Sequence, residues 1–378
     1  MKNIFILAGE RSADIHTAEV IKHLREKESD IELWGIGGKH MRELGFESIF
    51  PFEKFCIMGF VEVLTHLFFI LKVIKRIKKE LKHRKPDLVM LVDYPGLNMK
   101  IGKIAHALGI PVLYYISPQV WAWKKRRIYT ISDISDKIAV IFPFEQDLYN
   151  KVGANVEFVG HPIVEEINIT ESKDNFAQNH TLDVNKKWLG FIPGSRNIEI
   201  KRILPIIVTV IKKLDEKYPE RFEFLISLAE TVSESLFNHI VSPVKNRIHR
   251  IHDSHALMKY SELVICKSGT STLETAYLGT PMIVIYKVSG LSFLIARAFI
   301  KIKMISLVNI VLGRKVVPEL IQRDANPDKI IMHILKYLNE SEYYTSVKKE
   351  LEKVEGLIGS HSTSKKVASI ALEIINEA

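Results

Sequence analysis

From its start to about residue 160 the chain alternates short apolar runs with stretches of helical periodicity. The runs "NIFILA", "IELWGI", "DLVMLVD", "PVLYYIS" and "KIAVIF" are nearly continuous in large apolar residues and too short for helices. Such runs, separated by helices, are the pattern of parallel strands buried on both faces. The alternation breaks at "NITESKDNFAQNHTLDVNKK", residues 168–187, which is polar enough to be expected as a linker. It resumes with "WLGFIP", a helix after Ile200, "RFEFLIS", another helix, "LVICKSG", a helix from Thr270, and "PMIVIY". The chain therefore reads as α/β, two parallel-sheet domains at 1–167 and 188–355, with a C-terminal helix at 356–378 able to pack back on the first. Ligands of open parallel sheets bind beyond the carboxyl ends of the strands, so two such domains predict a cleft between them.

One stretch has two apolar faces. "GFVEVLTHLFFILKVIKRIKKELKHRK", Gly59–Lys85, begins apolar and ends basic. Glu62, Lys72 and Lys75 interrupt it before the roughly 20 apolar residues that a membrane span requires. Val73, Ile74, Ile77 and Leu81 share a core face opposite Lys72, Lys75 and Lys79. Earlier in the helix Val63, Leu67 and Ile70 can serve the core, while Val61, Leu64, Phe68 and Leu71 fall outward, continuous with Lys75, Lys78 and Lys79. An outward apolar patch rimmed by lysines suits the headgroup boundary of an anionic bilayer. Burial by another part of the chain or by a second copy in a homodimer competes with that explanation.

Composition narrows the classes. A length of 378 residues exceeds one ordinary core, and 47% hydrophobic with 26% charged residues is the balance of a chain folded throughout. The net charge of +9 favours an acidic partner without choosing between a phosphorylated small molecule, an anionic membrane and nucleic acid. "QVWAWKKRR" is too short a basic and aromatic cluster to favour nucleic acid, which is not expected as a partner. Cys56 and Cys266 stand far apart, which argues against a disulfide framework and fits a reducing cytosol. "MKNIFILAGE" reaches Gly9 and Glu10 too early for a signal peptide and reads as a first strand.

Every conspicuous polar cluster follows a predicted strand: "AGERSAD", "VDYPGLN" and "ISPQVWAW" in the first domain, "IPGSRNIE" and "CKSGTSTLE" in the second. Gly194 admits a ligand to backbone N–H groups, and Ser195 and Arg196 add a hydroxyl and a fixed cation before a helix, a set suited to a diphosphate. Ser268, Gly269 and Thr270 repeat the pattern, although Ser271-x-x-Glu274 is also a capping-box spacing. Walker A and G-x-G-x-x-G sequences are absent, so ATPase and dehydrogenase readings lose their support. No clustered metal ligands appear in the sequence, and no cofactor is expected. Asp93, at the end of an apolar strand, is a candidate general base, or else a turn residue before Pro95. Glu10, Ser12 and Asp14 are candidate ligands, with helix capping as the alternative for Ser12 and Asp14. His161 in "GHP" reads as a structural turn residue.

Taken in order, "AGERSAD", "MGFVEVL", "VDYPGLN", "YYISPQVWAW", "FPFE", "VGHP", "IPGSR", "KSGTSTLE" and "VPELIQ" resemble the lipid-A-disaccharide synthase family as far as about Gln322, and more loosely beyond. The resemblance implies a metal-independent GT-B glycosyltransferase, two Rossmann-like domains with the active site expected between them. It implies transfer of 2,3-diacylglucosamine from UDP-2,3-diacylglucosamine to the 6-hydroxyl of 2,3-diacylglucosamine 1-phosphate, with inversion, giving a β-1,6 disaccharide phosphate and UDP. By the same resemblance Asp93 falls on the family's proposed base, and Glu10, Ser12 and Asp14 on its sugar-site loop. Ser195, Arg196 and Asn309 fall on the nucleotide side, and Glu274 where related enzymes bind ribose. Ala13 departs from the glycine usual in the family, which predicts a crowded approach or a positive φ at that position.

Acylated substrates make the membrane surface the preferred partner of the outward helix face, with the protein cytoplasmic and peripheral on the inner face of the inner membrane. Two rivals keep a place: another GT-B UDP-sugar enzyme, such as an N-acetylglucosaminyltransferase or epimerase, and a non-catalytic protein that binds UDP-sugars or lipids.

Overall fold

The computed structural model describes residues 2–52, 63–122, 124–290, 304–359 and 361–377. The first sheet is formed by β1 (Lys2–Ala8), β2 (Ile31–Ile36), β3 (Glu47–Ser48), β4 (Leu88–Val92), β5 (Val112–Tyr115), β6 (Lys137–Val140) and β7 (Val156–Phe158). They lie in the order β3-β2-β1-β4-β5-β6-β7 with parallel pairings throughout. Ile4 sits between Leu33 and Leu88 in register, and every residue of Leu88–Val92 is fully buried. Central strands covered on both faces have no polar side, which is why they read as unbroken apolar runs.

The second sheet comprises β8 (Lys187–Ile192), β9 (Phe222–Ser227), β10 (Ile248–Ile251), β11 (Leu263–Lys267), β12 (Met282–Tyr286) and β13 (Glu319–Ile321). Its order, β10-β9-β8-β11-β12-β13, is again parallel and reverses in the same place as the first sheet. Strand order turns between β1 and β4 in one sheet and between β8 and β11 in the other. The loops after these four strands are therefore the switch-point loops where an open parallel sheet takes its ligand. They carry Glu10, Asp93, Gly194 and Ser268 respectively.

The chain divides into Met1–Glu165 with Ile358–Ala378, and Glu166–Leu357. The expected linker at 168–187 is corrected by this division. It holds the helix Lys173–Asn179, capped where Ser172 Oγ accepts from Asn175 N, and its Phe176 is fully buried with ring centroids 5.5 Å from Tyr260 and 6.1 Å from Trp188. One anchored aromatic seats a segment whose average composition is polar. At the C-terminus the helix Thr363–Glu377 packs along Arg11–Lys27, with Lys27 Nζ donating to Ser369 Oγ at 2.7 Å. Gly160 permits the close crossing there, since a Cβ on it would meet Thr363 Oγ1 at 2.8 Å. His161 belongs to this crossing: its N–H donates to Ile358 O at 2.7 Å, its Nδ1 accepts from Ile163 N, and burial lowers its pKa to about 3. It is a neutral structural residue.

The helix Val63–Arg84 lays Val73, Ile77 and Leu81 on the first sheet, fully buried, with Ile70 and Ile74 packed beside them. Phe68 is 75% and Leu71 51% exposed, and Lys75, Lys78 and Lys79 are exposed. Val61 lies outside the described residues, as do the side chains of Val63, Leu64 and Leu67. No helix among the described residues is long and apolar enough to cross a membrane.

Candidate active site

At the first switch point Asp93 follows β4 and precedes the helix Pro95–Ala107. Proline at the first helical position needs no donor, so the helix starts there, and Asp93 does not cap it; Tyr94 is the cap residue. Asp93 and Tyr94 both adopt left-handed conformations, φ +48° and +39°. The Asp93 carboxyl is largely shielded from water; burial first, and then the charge of Glu10, raise its pKa to about 6, against weaker opposing effects from the Tyr94 N–H and His16. Glu10 and Ser12 are exposed on the neighbouring loop and first helical turn. A Cβ on Gly9 would stand 2.8 Å from the Tyr94 ring, so glycine there lets the two loops meet.

Asp14 is engaged, through its carboxylate, within the first unit. It is 2% exposed, and its carboxylate accepts from Gly38 N at 2.7 Å, His40 N at 3.1 Å and Met41 N at 3.2 Å, with His40 Nδ1 at 2.9 Å. From the adjoining helix Arg11–Lys27 it accepts the free amides at the start of the short helix Lys39–Glu43, which satisfies its oxygens in place of the expected substrate contact. Ser12 caps nothing, because the helix begins at Arg11 with Glu10 as its cap residue. Ala13 is helical and buried and has no positive φ, so the expected backbone conformation is not found at that position. Close approach is seen at Gly38, where a Cβ would meet Asp14 Oδ2 at 2.5 Å.

A second carboxyl near this site was missed from sequence. Glu145 is buried, accepts from Trp121 Nε1 at 3.0 Å and Phe142 N at 3.3 Å, and is pushed up to about 7, chiefly by burial. It ties the "PQVWAW" loop to the helix Pro143–Asn150. The motifs "FPFE" and "QVWAW" carried the signal, but not the bond between them.

At the second switch point Gly194 has φ +119°, and Ser195 and Arg196 are exposed ahead of the helix Asn197–Lys217. Glu199, one turn into that helix, accepts from Ser195 N at 3.1 Å and Arg196 N at 3.3 Å. Its other oxygen lies 2.9 Å from Lys267 Nζ at the end of β11. The amides expected to face a diphosphate thus already hold an anion supplied by the chain, and Lys267 joins the two loops; neither residue was singled out from sequence.

Gly269 and Thr270 are accessible beside them. Ser268 Oγ donates to Ile305 O at 2.8 Å and its N–H to Ile285 O at 3.0 Å, so it braces the loop while its hydroxyl oxygen keeps its acceptor capacity. The capping-box alternative for Glu274 falls, because Ser271 Oγ donates to Lys267 O and the helix Ser271–Tyr277 has no side-chain cap. Glu274 instead lies 3.8 Å from His255 Nε2, and burial with the Glu166 charge pushes it up to about 7.

Asn309 is corrected as well. It is fully buried, its Nδ2 donates to Val317 O and Glu319 Oε1, and its Oδ1 accepts from Val316 N and Val317 N. All its capacity is spent on scaffold. Glu319 of "VPELIQ" also accepts from Ile305 N, Ser306 N and Ser306 Oγ, which gives that motif a structural meaning.

The family model described as lipid-A-disaccharide synthetase matches residues 4–374. The lipid-A-disaccharide synthases of Syntrophus aciditrophicus and Trichlorobacter lovleyi are 38% and 37% identical to this chain. They cover all of it, and 99% and 98% of their own lengths are matched. Among solved structures, a Staphylococcus aureus MnaA–UDP complex superposes with a TM-score of 0.68 at 14% identity, covering 100% of this chain and 98% of its own. A Neisseria meningitidis UDP-GlcNAc 2-epimerase bound to UDP-GlcNAc gives 0.65 at 17%, covering 99% and 100%. At such identities the structural likeness speaks for the fold, two Rossmann-like units of the GT-B kind.

Proposed function

Given that the chain belongs to the lipid-A-disaccharide synthase family, and so is a glycosyltransferase of lipid A biosynthesis that uses a UDP-sugar and a lipid acceptor, we propose that Asp93 is its general base. The donor is UDP-2,3-diacylglucosamine and the acceptor 2,3-diacylglucosamine 1-phosphate. The acceptor 6-hydroxyl attacks the anomeric carbon of the donor from the face opposite UDP. The new C–O bond forms as the bond to the diphosphate breaks, the configuration inverts, and the proton passes to Asp93. The observation that carries this is the position of Asp93: a shielded carboxyl at a switch point with a pKa of about 6, deprotonated at neutral pH yet basic enough to accept a proton in the transition state. Glu10 and Ser12 line the same loop edge for the acceptor sugar.

On the second unit Gly194, Ser195, Arg196, Gly269 and Thr270 take the diphosphate, and Glu274 the ribose. The charge that develops on departing UDP then meets the Arg196 guanidinium and the start of a long helix. Phe68 and Leu71, with Lys75, Lys78 and Lys79, seat the protein on the anionic cytoplasmic face of the inner membrane, where both acylated substrates reside.

Asp93→Asn tests the base directly. It should leave UDP affinity unchanged and reduce UDP release from the two acylated substrates roughly a hundredfold or more. Turnover near that of the unaltered enzyme removes Asp93 from the role.

A further inference from the structure

Asp93 stands in a backbone conformation that L-residues avoid, and the next residue does too. Such a turn persists only where its surroundings hold it. Its N–H is fixed in the sheet, donating to Tyr115 O at 3.1 Å. Its carbonyl is fixed by side chains. Asn98 Nδ2 donates to Asp93 O at 2.7 Å and to Val92 O at 3.0 Å, and Tyr114 OH donates to Asp93 O at 3.1 Å. Asn98 and Tyr114 are fully buried, one on the helix Pro95–Ala107 and the other in β5, so neither can follow the turn if it relaxes. The Tyr94 ring against Gly9 closes the opposite side.

An aspartate side chain is short, so the backbone conformation at its own Cα, which fixes the Cα–Cβ direction and restricts the rotamers, confines where its carboxylate can reach. We infer that Asn98 and Tyr114 are positioning residues for the reaction: by gripping the Asp93 carbonyl they hold the left-handed turn that aims its carboxylate at the acceptor hydroxyl. This rests on Asp93 being the base. Released from the grip, the residue relaxes toward an extended conformation and the carboxylate leaves its line to the hydroxyl, which reduces turnover without touching the nucleotide side.

The experiment is a double-mutant cycle on the full chain, with initial rates of UDP release, KM for the donor and thermal unfolding measured for each variant. Asn98→Ala is expected to lower kcat at least about tenfold with donor KM unchanged. Tyr114→Phe, which removes one hydroxyl from a buried ring, gives a smaller loss in the same sense and carries the test if Asn98→Ala does not fold. In an Asp93→Asn background both substitutions should have no further effect on kcat. An equal loss in both backgrounds, or unchanged kcat in folded variants, overturns the inference and leaves the two residues a purely structural part. Near-normal turnover of Asp93→Asn alone overturns the base assignment instead.

Discussion

The carboxylate of Glu199 bridges two loops of the second unit, lying 2.9 Å from Lys267 Nζ with one oxygen and accepting the amides of Ser195 and Arg196 with the other. Glu199→Ala removes both ties. Loss of the helix-start acceptor should cost about 1 kcal/mol of stability, and the freed loop should bind UDP several-fold more weakly. Thermal unfolding and calorimetric titration with UDP read the two effects separately; unchanged UDP affinity would show that loop geometry does not depend on this carboxylate.

A base must be deprotonated to act, so kcat/KM is expected to fall on the acid side with a midpoint near the Asp93 value of about 6. The Glu10 charge contributes to holding that value up. Glu10→Gln should therefore move the acid limb to lower pH, whatever it does to the plateau. A limb that stays in place or moves upward in a full pH–rate profile contradicts the coupling.

Glu145 makes stability depend on pH in a definite sense. Its folded pKa of about 7 lies above the ordinary 4.5, so between these values the folded protein keeps a proton that the unfolded chain has released. Its contribution is complete below about pH 4.5 and is lost as pH rises toward 7. Glu145→Gln retains an amide oxygen for Trp121 and removes this residue's share of the slope, leaving those of Asp93 and Glu274, which have the same sign. Relative to the unaltered protein it should gain a few kcal/mol at pH 8 over its value at pH 5, measured by urea unfolding. Comparison at each pH cancels His161, whose lowered pKa acts in the opposite direction. Parallel stability profiles would rule out an ionising Glu145.

Phe68 and Leu71 are exposed, so Phe68→Ser with Leu71→Ser should change stability by no more than about 0.5 kcal/mol at each site. Co-sedimentation with anionic vesicles should fall markedly. Unchanged partitioning contradicts the membrane contact, and a shift in oligomeric state alongside it assigns the patch to a second copy of the chain.

Much of the fold was legible along the chain. Leu88–Val92 and Leu263–Cys266 are buried on both faces, and double burial leaves an apolar run that needs no knowledge of neighbours. The two-residue β3 and the three-residue β7 and β13 escaped notice, since so few positions carry no periodicity, and so did β10, Ile248–Ile251, whose apolar run is interrupted by His249 and Arg250. The polar segment 168–187 escaped for another reason: its place depends on Phe176 finding Trp188 and Tyr260, and composition does not record such a contact.

The candidate site divides in the same way. Sequence alone marked the polar clusters that follow predicted strands, because their glycines, serines and charged residues are visible in place; strand order, which puts four of those loops at switch points, came from the fold. Sequence could not tell that Asp14 and Asn309, polar residues on helices rather than on those loops, are already engaged by partners inside the fold. Tertiary structure decided that. Asp14 meets Gly38 and Met41, and Asn309 meets Val317 and Glu319. A polar group already satisfied by partners elsewhere in the chain has no hydrogen-bonding capacity left for a ligand, and whether it is satisfied is a property of the fold.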